Sequence, residues 1–197
     1  MLLFFFPESI VYFYLSNKQI MGLDIAAYSK LEPKRDERVD AVMESLFIPQ
    51  GEWVIEFTET DERPRCQDMK PGTWHVTDET QTMDFRAGAY STYNSFRRHL
   101  SEAILGVTPE TIWENEDDFE NMPFYEIINF SDCEGAFGPH DSEKLHKDFV
   151  EHEKQFKKYI LENVGKYDTD SDWFNRMYDN FTEAFGLAAN EGILIFC

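Results

Sequence analysis

The chain has 197 residues, enough for one domain with a substantial core. Its 38 acidic residues against 18 basic ones leave a formal charge of -20 and a pI near 4.5, a field that repels nucleic-acid backbones and anionic membranes and attracts basic proteins. Aromatics at 16% set the chain apart from disordered sequences despite a mean hydropathy of -0.50.

Residues 1–20 open with the apolar run MLLFFF, broken by Pro7-Glu8-Ser9. The run lacks a basic leader and a small-residue cleavage site, and it is shorter than the roughly 20 residues that span a bilayer. It reads as an upstream, non-native or disordered extension, with Met21 as the natural start and 21–197 as a single domain. The three cysteines, Cys66, Cys133 and Cys197, are odd in number and form no CxxC pair, which fits a reducing, cytoplasmic setting.

GLDIAAY (22–28) alternates as a first strand. VDAVMESLF (39–47) has the spacing of a short helix, and EWVIEF (52–57) that of a strand. After the breakers Pro64, Pro71 and Gly72, TWHVTD and TMDFRAG predict a hairpin or two edge strands. From Tyr90 the period becomes helical: Tyr93, Phe96, Leu100, Ala103 and Ile104 share a face, and Gly106 is placed to end the helix. Thr108 and Pro109 predict a new helix start, followed by an acidic loop or frayed turn over ENEDDFENMP. FYEIINF (124–130) reads as a buried strand. Two long helices follow. The first is capped by Asp141 or Ser142, with Glu143 in its first turn and Leu145, Phe149, Phe156, Ile160 and Val164 inward. In the second, Thr169 and Asp172 form a capping box, with Phe174, Met177, Phe181, Phe185 and Ala188 inward. ILIF closes the chain as a strand. The fold class is α+β: one domain, a small, mostly antiparallel sheet packed on three main helices.

Three stretches carry candidate chemistry. In NFSDCEGAFGPH (129–140), Cys133 with His140 has the residue types of a thiol hydrolase, and Asp132 or Glu134 with His140 those of a carboxylate one. Asp132, Glu134, His140 and Asp141 are also cation-ligand types, but no EF-hand, HxxH or HExxH spacing is present, so no metal and no cofactor is expected. The reading preferred for this stretch is a strand exit and a helix entry, with Cys133 pointing inward. In FRAGAYSTYNSFRR (85–98) the only charges are Arg86, Arg97 and Arg98. A strand-to-helix junction with an arginine and hydroxyls fits a phosphate or carboxylate, and Tyr90 and Tyr93 could stack on a ligand ring. The competing reading buries the tyrosines in the core. The third feature is acidity: Glu110, Glu114, Glu116, Asp117, Asp118 and Glu120 form a run that reads as a solvated face, or as a surface for a basic protein in the manner of DNA mimics.

MGLDIAAYS from Met21 and FYEIINFSDCEGAFGP from Phe124 together resemble a family of uncharacterised proteins of bacteria and their phages, in which these blocks and a closing aromatic-rich helix occur in the same order. The resemblance runs from Met21 to the C-terminus and is least close in the middle loops. Ala136-Phe137 departs from the small polar and aliphatic pair that the family pattern implies. The family implies no activity; it marks the Ser131–Gly135 stretch as the place of interest. The expectation is an acidic cytoplasmic protein of phage or mobile-element type that binds a small anionic ligand or a basic protein. Its site residues would be Arg86, Tyr90, Ser91, Tyr93, Ser131, Asp132 and Glu134, with no direct nucleic-acid or membrane contact. The alternative is the hydrolase.

Overall fold

The computed structural model describes residues 22–33, 54–57, 72–130, 135–164 and 170–196. The expected helix at 39–47 and the Thr169 half of the capping box lie outside these residues, as do all three cysteines.

In chain order the elements are β1 (Leu23–Tyr28), β2 (Glu32–Pro33), β3 (Val54–Phe57), β4 (Gly72–His75), β5 (Thr82–Gly88), α1 (Tyr90–Leu105), α2 (Pro109–Glu114), α3 (Glu116–Phe119), α4 (Tyr125–Ile128), β6 (Gly135–Phe137), α5 (Pro139–Asn163), α6 (Asp170–Ala188) and β7 (Ile193–Phe196). The main sheet is ordered β5-β1-β7-β6, and every pairing in it is antiparallel. A second, three-stranded antiparallel sheet is ordered β2-β4-β3. The α+β expectation therefore holds, with α1, α5 and α6 as the three main helices.

Alternation decides which face of the main sheet is buried. Leu23, Ile25 and Ala27 of β1 lie at or below 1% exposure, as does Ala87 of β5, and all face the helices. Phe137 of β6 and Leu194 and Phe196 of β7 join them through the register of the ladders. The high aromatic content accounts for this core. Phe96 stacks on Phe181 at 5.4 Å, Phe85 meets Phe181 edge-on at 5.1 Å, and Phe149 stacks on Phe185 at 5.7 Å. Phe96, Phe149, Phe181 and Phe185 are fully buried, and each contributes about 1.5–3 kcal/mol through removal from water. Tyr178, also fully buried, keeps its hydroxyl satisfied by donating to the Phe149 carbonyl at 2.6 Å. On the opposite face Leu31 and Ile193 form a smaller cluster with Tyr28, Trp74, Val76, Ala136 and Ile195, which joins the second sheet to the first.

The helical stripes form as their spacing predicts. Gly106 ends α1 in the left-handed region at φ 73°, where a side chain would be strained. Pro109 opens α2 with Thr108 as its cap residue, and β7 closes the chain.

Several expectations are corrected. Residues 124–130 are not a strand. Pro123 precedes Phe124, which adopts φ 63°, and its N–H donates to Asp148 at 2.9 Å, starting the short helix α4. Phe124, Ile127 and Ile128 are all fully buried, and their i, i+3, i+4 spacing is helical. β4 and β5 do not form a hairpin: β4 is the central strand of the second sheet, and β5 is an edge of the first. Of the two readings of the acidic stretch after α2, the turn is the one that holds: it contains the short helix α3. α5 begins earlier than Asp141 or Ser142, at Pro139 with Gly138 as cap, because proline at the first helical position gives up an N–H that would lack a partner anyway. Asp141, not Glu143, is then the acid of its first turn, and Ser142 is buried. Among the described residues no helix is long and apolar enough to cross a membrane.

Candidate functional site

The antiparallel registers bring four chain ends to one end of the main sheet. Leu23 pairs with Gly88, Ile25 with Phe196, and Phe196 with Gly135. The start of β1, the exit of β5, the end of β7 and the start of β6 are therefore neighbours. They span about 14 Å, three inter-strand spacings.

At the β5 side, Arg86 points to the outer face opposite Asp24, and its Nη1 lies 3.9 Å from Asp24 Oδ1. Its side chain is 43% exposed. The guanidinium lies across Gly22: a Cβ at that position would stand 1.9 Å from Arg86 Nη2. Glycine before the first strand is thus what gives the arginine its seat. Asp84 and Ala26 lie on the same face one pair further along the ladder.

Gly88 turns β5 into α1 at φ 87°, with Thr92 and Trp173 closing around it. Ala89 is the extended cap residue, and its side chain offers the first turn no cap hydrogen bond. Its carbonyl accepts from the N–H groups of Thr92 and Tyr93. Tyr90 is 37% exposed and Ser91 is exposed, so both reach solvent at the sheet end. Tyr93 does not. It is fully buried, with its ring against Phe181 at 6.2 Å and Phe196 at 5.7 Å, so the core reading holds for it and stacking on a ligand does not.

Two residues missed by sequence reasoning organise the other side. Arg97, only 7% exposed, donates through Nη1 to the carbonyls of Ile128, at 3.2 Å, and Phe130, and through Nη2 to Asn94 Oδ1. Its charge lies 5.1 Å from the ring centre of Tyr93 and 5.9 Å from that of Trp113. The guanidinium thus closes the C-terminal end of α4, where a four-residue helix leaves its last carbonyls without intrahelical donors. The available signal was an arginine beside Phe96 and between Tyr93 and Leu100 in an otherwise apolar stripe. Asn94, exposed one turn beyond Tyr90, is the second.

Phe130 lies beneath Gly135, whose Cβ would approach the Phe130 ring to 2.8 Å, and packs on Phe137 at 4.6 Å and Phe196 at 4.4 Å. Both flanks of the 131–134 segment are therefore anchored in one aromatic cluster at this end of the sheet. Ser131, Asp132, Cys133 and Glu134 themselves lie outside the described residues. His140 is exposed in the first turn of α5.

Among the described residues no three His, Cys, Asp or Glu side chains gather as a metal-holding group. The Lys144 ammonium gathers Glu126, Asp148 at 3.2 Å and the Met122 carbonyl at 3.0 Å, tying the turn before α4 to α5. No family model, no curated protein and no solved structure matches the chain.

Proposed function

We propose that this protein acts by binding, and that its site is the sheet end around Arg86, Tyr90 and Ser91, taking a small molecule with a phosphate or carboxylate group. The observation that carries the reading is the seating of Arg86 across Gly22, at the end of the sheet where the first turn of α1 emerges. Ser131, Asp132 and Glu134, on the segment anchored by Phe130 and Gly135, belong to the same reading. Acids at Asp24 and Asp84 on the face of Arg86 disfavour a bare dianion. They favour a ligand that also offers hydroxyl or amine donors, as a nucleotide or sugar phosphate does.

A thermal-shift screen with inorganic phosphate, nucleotides and small carboxylates tests this. A ligand at about 100 times its Kd adds about 2.7 kcal/mol of stability. That gain is expected for wild type and absent in Arg86→Gln; no stabilisation of wild type by any of these compounds sinks the reading.

A second reading, capture of a basic protein, rests on a different surface. Glu110, Glu114, Asp117, Asp118 and Glu120 are all exposed on and around α2 and α3, where Trp113 and Met122 are also exposed. Binding there would weaken steeply as salt rises. The cytoplasmic setting and the phage or mobile-element type belong to the proposal and rest on composition and on the resemblance of the Met21 and Phe124 blocks.

A further inference from the structure

His99 is a half-buried imidazole where three helices meet. From α6, Phe174 presents its ring edge-on at 4.7 Å; from α5, Tyr159 lies at 6.0 Å. Nδ1 of His99 is buried and has no hydrogen-bond partner among the described residues. The charged groups close to it are on its own helix: Arg98 opposes a second positive charge, and Glu102 would welcome one. Glu102 is already engaged, accepting from the Tyr159 hydroxyl at 2.6 Å and lying 3.8 Å from Arg98. The ring that α6 turns to His99 carries no charge.

Phe174 continues into the candidate site. Trp173 packs edge-on against it at 5.0 Å and reaches over Gly88, standing 3.5 Å from where a Cβ there would be. The first turn of α6 is thus held between His99 and the β5–α1 junction.

We propose that His99 is an acid-sensitive latch, which docks the first turn of α6 while neutral and releases it, and with it the β5–α1 junction, when charged. Burial, with help from Arg98, holds its pKa below the ordinary 6.5, against the pull of Glu102. The contribution is therefore complete above pH 6.5 and is lost as the pH falls below that value towards the folded pKa. His146, also set against α6, differs in its contacts: its Nδ1 lies 2.9 Å from the Thr182 carbonyl.

Amide hydrogen exchange of the α6 N-terminal peptide at pH 7.5 and 5.5, corrected for intrinsic rates, tests the latch. Wild type is expected to exchange several-fold faster at pH 5.5, and His99→Phe to show no such rise. An unchanged wild type, or an equal rise in the variant, overturns it. NMR titration of the His99 ring in wild type is the second measurement: a pKa below 6.5 supports the latch, and one at or above 6.5 refutes it.

Discussion

Replacing Arg97 by Met keeps an unbranched apolar stem and removes the donors. The carbonyl of Ile128, a residue of 0% exposure, then loses its described donor, and the Phe130 carbonyl loses its contact with Arg97. An orphaned buried acceptor costs about 1–3 kcal/mol, a loss counted here for the Ile128 carbonyl alone. Against this stands relief: among the described residues the guanidinium contacts carbonyls, an amide and two rings but no carboxylate, and a buried charge held by neutral partners is itself costly. The balance favours a net loss of about 1–2 kcal/mol for Arg97→Met. Arg97→Lys keeps the charge without the fork, can serve one carbonyl at a time, and should lose about half as much. For a chain of this length, 2 kcal/mol corresponds to about 4–8 °C in Tm. Calorimetry or urea melts should rank wild type above the Lys variant and the Lys variant above Met. A Met variant as stable as wild type would falsify the clamp and show that relief of the buried charge outweighs the Ile128 carbonyl.

Other substitutions separate the site from the scaffold. Gly22→Ala places a methyl on the far end of a flexible side chain, so stability should change by no more than about 0.5 kcal/mol, while any ligand gain that depends on Arg86 should disappear; retained ligand stabilisation with the methyl present would remove Arg86 from the site. At alkaline pH, Tyr159, pushed up to about 12 by burial and by Glu102, contributes stability that is present below pH 10 and lost as the pH rises through 12. Urea midpoints between pH 9 and 11.5 should therefore fall less steeply for Tyr159→Phe than for wild type, and parallel curves would deny the group its role. Cys133→Ser should leave ligand stabilisation intact in a binding protein; abolition of a measured hydrolysis by this substitution alone would establish the thiol enzyme instead.

What could be read from the sequence was periodic and local. The inward stripes of α1, α5 and α6 recur at helical spacing over several turns, and β1 and β7 are short apolar runs bounded by turn residues. The 124–130 stretch went wrong because its apolar density resembles a buried strand, whereas the helical spacing of Phe124, Ile127 and Ile128 covers little more than one turn. Its deciding partner, Asp148, lies on another helix. The start of α5 was misplaced by weighing the caps Asp141 and Ser142 above Pro139. The site was legible only as two separate stretches. That β6 enters and β5 exits at one end of the sheet follows from β7 inserting between β1 and β6, a pairing of distant segments that no local pattern announces. Arg97 looked like one of three nearby arginines, and only burial separates its work from that of Arg86.

In so acidic a chain the placement of cations is itself informative. Arg98 joins Glu102 of α1 to Glu110 of α2, Lys157 joins Glu153 of α5 to Asp179 of α6 at 2.7 Å each, and Lys144 ties α5 to the turn before α4. Each pair is partly exposed and worth no more than about 1 kcal/mol alone. Each nevertheless sets a positive charge between elements whose acids would otherwise face one another, so these lysines and this arginine serve the scaffold. Arg97 serves it too, with its charge turned onto main-chain carbonyls beneath Phe130. Arg86 is placed otherwise. It lies at the end of the sheet, seated on a glycine, next to the start of α1, with its Nη1 3.9 Å from Asp24 Oδ1. A cation seated on a glycine at the sheet end, 43% exposed and beside a helix start, is the one on which the binding proposal is staked, for its position in the fold.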